Sequence, residues 1–140
     1  MPSGRVKRQL EPAPFEFFLD RGLGRYNVAK MLRSHGHVVH VMADVYPDGA
    51  DQTMDDPDWM LDVDNRGWVA LTKDASIVRA HRNDLESSSL RMFSLDSSKL
   101  TGEQMAARFE LHLNRIIQRC SKPGPFFDVL HARSIERRYP

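Results

Sequence analysis

Short apolar blocks, punctuated by glycine, proline and aspartate, set the rhythm of this sequence. FEFFL (15–19) is short and aromatic and reads as a buried strand. DRGLG then makes a glycine-punctuated turn. RYNVAKMLRSHG (25–36) follows, with Val28, Ala29 and Leu32 at helical spacing and Gly36 placed to end the helix. HVVHVM (37–42) is β-branched and apolar, a second strand. Strand, helix and strand form one βαβ unit, which requires the two strands to be parallel.

The pattern then loosens into the loop VYPDGADQTM. In DDPDWMLDVDNRG, Asp56 is placed to cap a short helix whose first residue is Pro57, and Gly67 closes it. WVALT (68–72) is the third strand. After Asp74 the chain is polar, with no clear period, until LRMFSL (90–95) supplies a fourth strand. TGEQ matches a capping box between Thr101 and Gln104. Met105, Phe109, Leu113, Ile116 and Ile117 form one stripe on the long helix it opens, over 102–119. PGPFFDVLH gives a turn and a last short strand. This alternation predicts an α/β fold with a mainly parallel sheet.

Composition narrows the class only a little. With 140 residues, 41% apolar and 28% charged, the chain suits one globular domain, taken as 15–140 behind a basic leader over 1–14. The single cysteine, Cys120, excludes an internal disulfide and a multi-cysteine zinc site, and its place on an apolar flank reads as an inert buried thiol. No apolar run approaches the ~20 residues that span a bilayer. MPSGRVKRQLEPAP lacks the apolar core of a secretory signal, so the expectation is a cytoplasmic protein without a membrane partner. Net charge is only +1, but both ends are basic and acid gathers in DGADQTMDDPDWMLDVD. Such runs are ordinarily solvated surface; the sharper alternative is a phosphate-binding rim around an acidic centre.

The candidate chemistry lies in the acids. Three apolar stretches run out into aspartate: FEFFLD at Asp20, HVVHVMAD at Asp44 and WVALTKD at Asp74. Ligands of open parallel sheets bind beyond the carboxyl ends of the strands. If those strands are neighbours, the carboxylates converge, and a converging set is costly unless protonated or neutralised by cations. Hard oxygen donors suit Mg²⁺ or Mn²⁺, which serve phosphodiester hydrolysis. Each aspartate alone also reads as a turn residue, and Asp56 and Asp58 as acids favoured at a helix start. Other constellations fall away. His37 and His40 have opposite parity on one strand, and His35 sits at a helix end, which argues against a three-histidine metal site. GLG lacks the lysine and spacing of a phosphate-cradling loop, and no nucleophilic triad is evident. Trp59 and Trp68 read as packing residues.

FFLDRGLG, VAKMLRSHGHVVHVMADVY, DDPDW and RGWVALTKD, in that order, resemble the PIN-like domain family of the VapC toxin type, and GPFFDVLHA resembles its closing segment. The resemblance spans about residues 15–131. It implies a three-layer α/β/α sandwich whose carboxylates hold Mg²⁺ or Mn²⁺, and a ribonuclease toxin restrained by a cognate antitoxin. By motif, Asp20 is the first acid and Asp74 the third-strand acid. The middle acid falls in DDPDW, as Asp58 first and Asp56 second, with Asp44 beside them. A fourth acid has no matching motif; Asp84, Glu86 and Asp96 are the choices, and Asp96 follows a strand. Arg21, Arg25, Lys73 and Arg79 are candidate phosphate contacts for an RNA substrate, although the ordinary reading of each is a solvated charge. The helix at 102–119 could serve a homodimer. Two other readings stay open: a PIN-like scaffold that binds RNA or protein without cutting, and a phospho-acceptor signalling module. The latter wants paired early acids, where this chain has Asp20 alone.

Overall fold

A computed structural model describes residues 15–140 of the chain. The basic leader over 1–14 lies outside the described residues.

Six strands form one sheet in the order β2-β1-β3-β4-β5-β6: β1 (Glu16–Leu19), β2 (Val38–Val41), β3 (Val69–Thr72), β4 (Arg91–Leu95), β5 (Phe126–Leu130) and β6 (Ile135–Tyr139). The first five are parallel, and β6 runs antiparallel to β5. Helices α1 (Asn27–Ser34), α2 (Met42–Val45), α3 (Asp56–Arg66), α4 (Ile77–Ala80), α5 (Arg82–Glu86) and α6 (Gly102–Cys120) complete the domain.

Strand parity divides the core into two layers. Phe17 and Leu19 of β1, Val69 and Leu71 of β3, and Phe93 and Leu95 of β4 pack with Leu32 of α1 and Phe109 of α6. Phe18, Ala70 and Met92 turn the other way, onto Trp59 and Val63 of α3 and Ile77 of α4. Both faces of the sheet are covered, which is why its strands read as near-continuous apolar runs. The expected α/β/α sandwich is present.

Most boundaries lie within a residue or two of those expected. Gly36 takes φ +88° just past α1, a left-handed position that glycine fills without strain. Thr101 and Gln104 close the capping box on α6. Three features differ from expectation. β2 ends at Val41, and Met42–Val45 is already helical, so Asp44 does not follow directly on a strand. The polar stretch after Asp74 folds as α4 and α5, each too short to show a period. β6 has no apolar alternation, because Glu136, Arg137 and Arg138 of this edge strand are exposed. Charged side chains on an edge strand discourage pairing with other chains.

Among the described residues, no helix is long and apolar enough to cross a membrane.

Candidate active site

The chain leaves β1 for β2 on one side and returns to β3 on the other, so the sheet reverses direction between β1 and β3. The crevice beyond the carboxyl ends of such a pair is the usual ligand site of open α/β sheets. Parity places the next residues. Asp20 and Thr72 fall on the same face as Phe18 and Ala70, toward α3. The Asp20 amide extends the ladder by donating to Leu71 O at 3.1 Å.

Asp20 stands at this reversal of strand order. It is only 8% exposed. Its Oδ2 accepts the Thr72 hydroxyl at 2.5 Å, and its Oδ1 accepts the Gly22 amide at 3.0 Å, which caps a 3-10 turn over Arg21–Leu23. Burial pushes its pKa up to about 6, and the negative charge of Asp56 adds to the rise. The hydrogen bonds from Thr72 and Gly22 and the Arg21 charge oppose it. A carboxylate raised by burial and by a second acid is what an electrostatically demanding site looks like.

Thr72 was not singled out from the sequence, yet it joins two of the acids. Its fully buried hydroxyl donates to Asp20 and also accepts the Asp74 amide at 3.1 Å. Asp74 itself is exposed, and its Oδ1 accepts both the amide and the hydroxyl of Ser76, at 3.0 and 2.5 Å. Lys73 lies beside them. A Cβ on Gly22 would meet Lys73 Cε at 2.9 Å and Asp20 Oδ1 at 3.3 Å, so the lysine side chain and this carboxylate both lie against the turn.

The remaining acids separate. Asp56 does not cap α3; Asp55 holds that position, without a side-chain bond, and Asp56 is the first helical residue. Its carboxylate instead accepts the Trp59 indole N–H at 2.9 Å and faces His81 Nε2 at 3.4 Å. Asp58 lines a different cavity with Leu61, Asp64 and Asp84. Asp44 faces Arg25 at 3.4 Å, beside β2. Asp96 is held by Arg108 at 2.5 Å and lies 3.4 Å from His131 Nδ1. Asp84 lies 4.0 Å from His81, and Glu86 is exposed at the end of α5. β2, β1 and β3 are neighbours as supposed, but their acids do not gather at one point. Among the described residues, no group of three or more His, Cys, Asp or Glu side chains is placed to hold a metal ion.

Of the basic candidates, Arg21 donates to the carbonyls of Asp51, at 3.0 Å, and Met54, so it fastens the loop before α3. Arg25 is engaged with Asp44. Arg79 is exposed on α4 and lines a cavity. The three histidines scatter. His35 pairs with Glu110, His37 accepts the Phe15 amide, and His40 bonds Glu16 while stacking on Trp68 at 3.7 Å. Cys120 is buried, and its thiol is pushed up to about 12 by that burial.

Asp128 is another buried acid, one that left no signal in the sequence. It is fully enclosed in the middle of β5, where Arg119 and Arg137 bond its two oxygens at 2.9 and 2.5 Å. With both oxygens taken by guanidinium groups, it serves the fold.

Comparison with known proteins agrees with this architecture. The sequence model of the PIN like domain matches residues 15–97, more than half of the chain. "Putative ribonuclease VapC45" of Mycobacterium tuberculosis (strain ATCC 25618 / H37Rv) is 31% identical over 122 residues, covering 86% of this chain and 88% of that protein. No solved structure gives a significant match. On the family match, the relative and the sheet order together, the chain belongs to the PIN-like domain family of the VapC type.

Proposed function

We propose that the protein is a divalent-metal-dependent endoribonuclease, the toxin of a toxin–antitoxin pair whose partner protein restrains it. One observation carries this reading: the buried Asp20 at the β1/β3 reversal, locked by Thr72 and Gly22 and raised by burial and by Asp56. The relative named a ribonuclease supports the choice of RNA. Single-stranded or looped RNA suits an open crevice at a sheet edge, because its backbone is accessible there.

The donor set fits a hard cation in kind. Asp20 and Asp56 repel one another, Asp74 stands two residues beyond the same sheet edge, and all three offer carboxylate oxygen. Asp20 with Asp56 would be the first to hold Mg²⁺ or Mn²⁺, and Asp74 would have to turn from Ser76 to join them, since as placed the three do not form one group. The choice of Asp56 over Asp58 rests on the repulsion it exerts on Asp20. When bound, the ion supplies Lewis acidity toward the phosphate and a more acidic water.

The chain's own residues prepare the site. Thr72 fixes the rotamer of Asp20 and ties it to the Asp74 backbone. Lys73, whose side chain lies against the same turn as the Asp20 carboxylate, would offer a cation to the phosphate. Trp59 holds Asp56 by its indole N–H and so sets the direction of the carboxylate.

The test is cleavage of total RNA by the purified protein with Mg²⁺, Mn²⁺ or EDTA, beside Asp20→Asn. Metal-dependent cuts that disappear in the variant are expected. A folded, antitoxin-free protein that cuts nothing under either metal would overturn the nuclease. A second reading, a PIN-like scaffold that binds RNA or a protein without cutting, is favoured by the absence of a three-carboxylate group among the described residues. It requires that Mn²⁺ leave the melting temperature unchanged.

A further inference from the structure

A cavity of about 490 Å³ opens next to Asp74, lined by Ala75, Ser76, Val78, Arg79, Arg82 and Arg138. Its size is that of an ordinary ligand site, yet half of its lining residues are arginine. We propose that this cavity holds the backbone phosphates of a single RNA strand beside the scissile position, so that Arg79, Arg82 and Arg138 form a phosphate-binding subsite. The proposal rests on the ribonuclease reading and adds the path of the substrate.

Three observations support it. The cavity adjoins the site through one residue: Ser76 lines it and bonds the Asp74 carboxylate through both amide and hydroxyl. Charge is in excess there, since among the described residues neither Arg79 nor Arg82 has an ion-pair partner, and Glu136 is the one acid bound to Arg138. Uncompensated guanidinium groups around a concavity attract an anion, and their planar forks match phosphate oxygens.

The third observation is that two of the three arginines are positioned beforehand. Arg138 is gripped by Glu136 through Nε at 2.9 Å and Nη2 at 3.0 Å, which leaves Nη1 outside that pair. Arg82 lies over the Tyr139 ring at 4.9 Å. The register of β5 and β6 shifts between Phe127 and Asp128, pairing Tyr139 with Phe127 and Arg137 with Asp128, so Arg138 is the extra residue of a bulge. Strict alternation would send Arg138 and Tyr139 to opposite faces. The bulge lets Arg138 line the cavity while Tyr139 packs on the α3 layer beneath Arg82. Cations already in place lose less entropy on binding.

Backbone contacts of this kind are independent of sequence and sensitive to salt. The experiment uses the full chain in an Asp20→Asn background, binding a fluorescent single-stranded oligouridylate by anisotropy over a range of salt. Arg79→Ala and Arg82→Ala should each weaken binding about tenfold at low salt. Each should also lower the slope of log affinity against log salt by about 0.7, the value for one single-strand phosphate contact. Arg79→Lys should keep the slope. Arg79→Glu, which places an acid in the same cavity as Arg82, should weaken binding more than Arg79→Ala does.

The subsite is overturned if the Arg79→Ala/Arg82→Ala protein, folded by circular dichroism, binds with unchanged affinity and slope, or if the Asp20→Asn parent binds no RNA. Cleavage by the wild type separates the two claims. Binding lost in the arginine variants of a protein that never cuts RNA keeps the subsite and removes the nuclease. Cutting at an unchanged KM in those variants does the reverse.

Discussion

The Thr72 hydroxyl donates to Asp20 Oδ2 at 2.5 Å, across the boundary where the sheet reverses its strand order. The same oxygen accepts the Asp74 amide at 3.1 Å, so one side chain sets the position of both strand-end acids. A fully buried hydroxyl bonded on both sides has no freedom left, and the rotamer of Asp20 is fixed with it.

Thr72→Val keeps the shape and removes the donor. One oxygen of the enclosed Asp20 carboxylate then lacks a partner, a loss of about 1–3 kcal/mol in stability. The pKa of Asp20 should rise above about 6, because the hydrogen bond from Thr72 is the largest of the effects that lower it. RNA cleavage at pH 7 should fall by about tenfold or more, in keeping with a loss of ~1.4 kcal/mol in the transition state. Thr72→Ser should restore both cleavage and the titration of Asp20. A valine variant that cuts like the wild type would show that Thr72 serves packing alone.

Asp20 also sets a pH dependence. Its pKa lies at 3.8 in the reference state and at about 6 in the fold, so the folded protein binds more protons between those values. Metal-free stability therefore declines as pH rises from about 4 through about 6, by on the order of 2–3 kcal/mol, and is fully present only below the lower value. Asp20→Asn removes the cost of ionisation. In EDTA the variant should melt higher than the wild type at pH 7.5, and the advantage should vanish near pH 4. An equal difference at both pH values would deny that Asp20 titrates in this range.

How much of this was legible in the sequence depends on which physical signal each residue leaves. β1, β3 and β4 announce themselves because both faces are buried along most of each strand, so apolar residues dominate their runs. Asp20 and Asp74 could be read from those runs, since each stands at or just past a strand end. Asp44 looked alike and is different, because Met42 and Ala43 continue an apolar run whose backbone has already turned helical. Thr72 left no signal at all, as threonine is ordinary in strands and its role needs Asp20 as a neighbour. β6 and the Arg138 bulge are equally silent, since their register is decided by β5. Asp56 and Asp58 are both early acids of one helix. Only the three-dimensional position of Asp20 separates them.

That separation is testable. Asp56→Asn should lower metal-dependent cleavage by about a hundredfold or more, the scale of losing one electrostatic group from a catalytic site. It should also lower the pKa of Asp20, by removing the charge that repels it. Asp58→Asn, in another cavity, should change cleavage by less than about twofold. Carbonyl-selective NMR on the metal-free variants would follow Asp20 directly. A large loss in Asp58→Asn with Asp56→Asn unaffected would move the middle acid back to Asp58.

Asp128 provides the contrast of a buried acid that acts on stability alone. Its oxygens are taken by Arg119 and Arg137, and no part of the side chain reaches solvent. Asp128→Ala would leave two guanidinium groups without a counter-charge between β5, β6 and the end of α6. Because Arg119 and Arg137 are partly exposed, water screens the charges left behind, and the loss should be about 1–3 kcal/mol, still a sizeable share of the stability of a small domain. The variant should unfold at markedly lower urea, yet whatever remains folded should bind the oligouridylate as the wild type does. Replacing all three residues with apolar ones of similar volume should recover much of the loss, since the ion cluster's own desolvation then disappears. If Asp128→Ala weakened RNA binding at full folding, the cluster would belong to the substrate path after all.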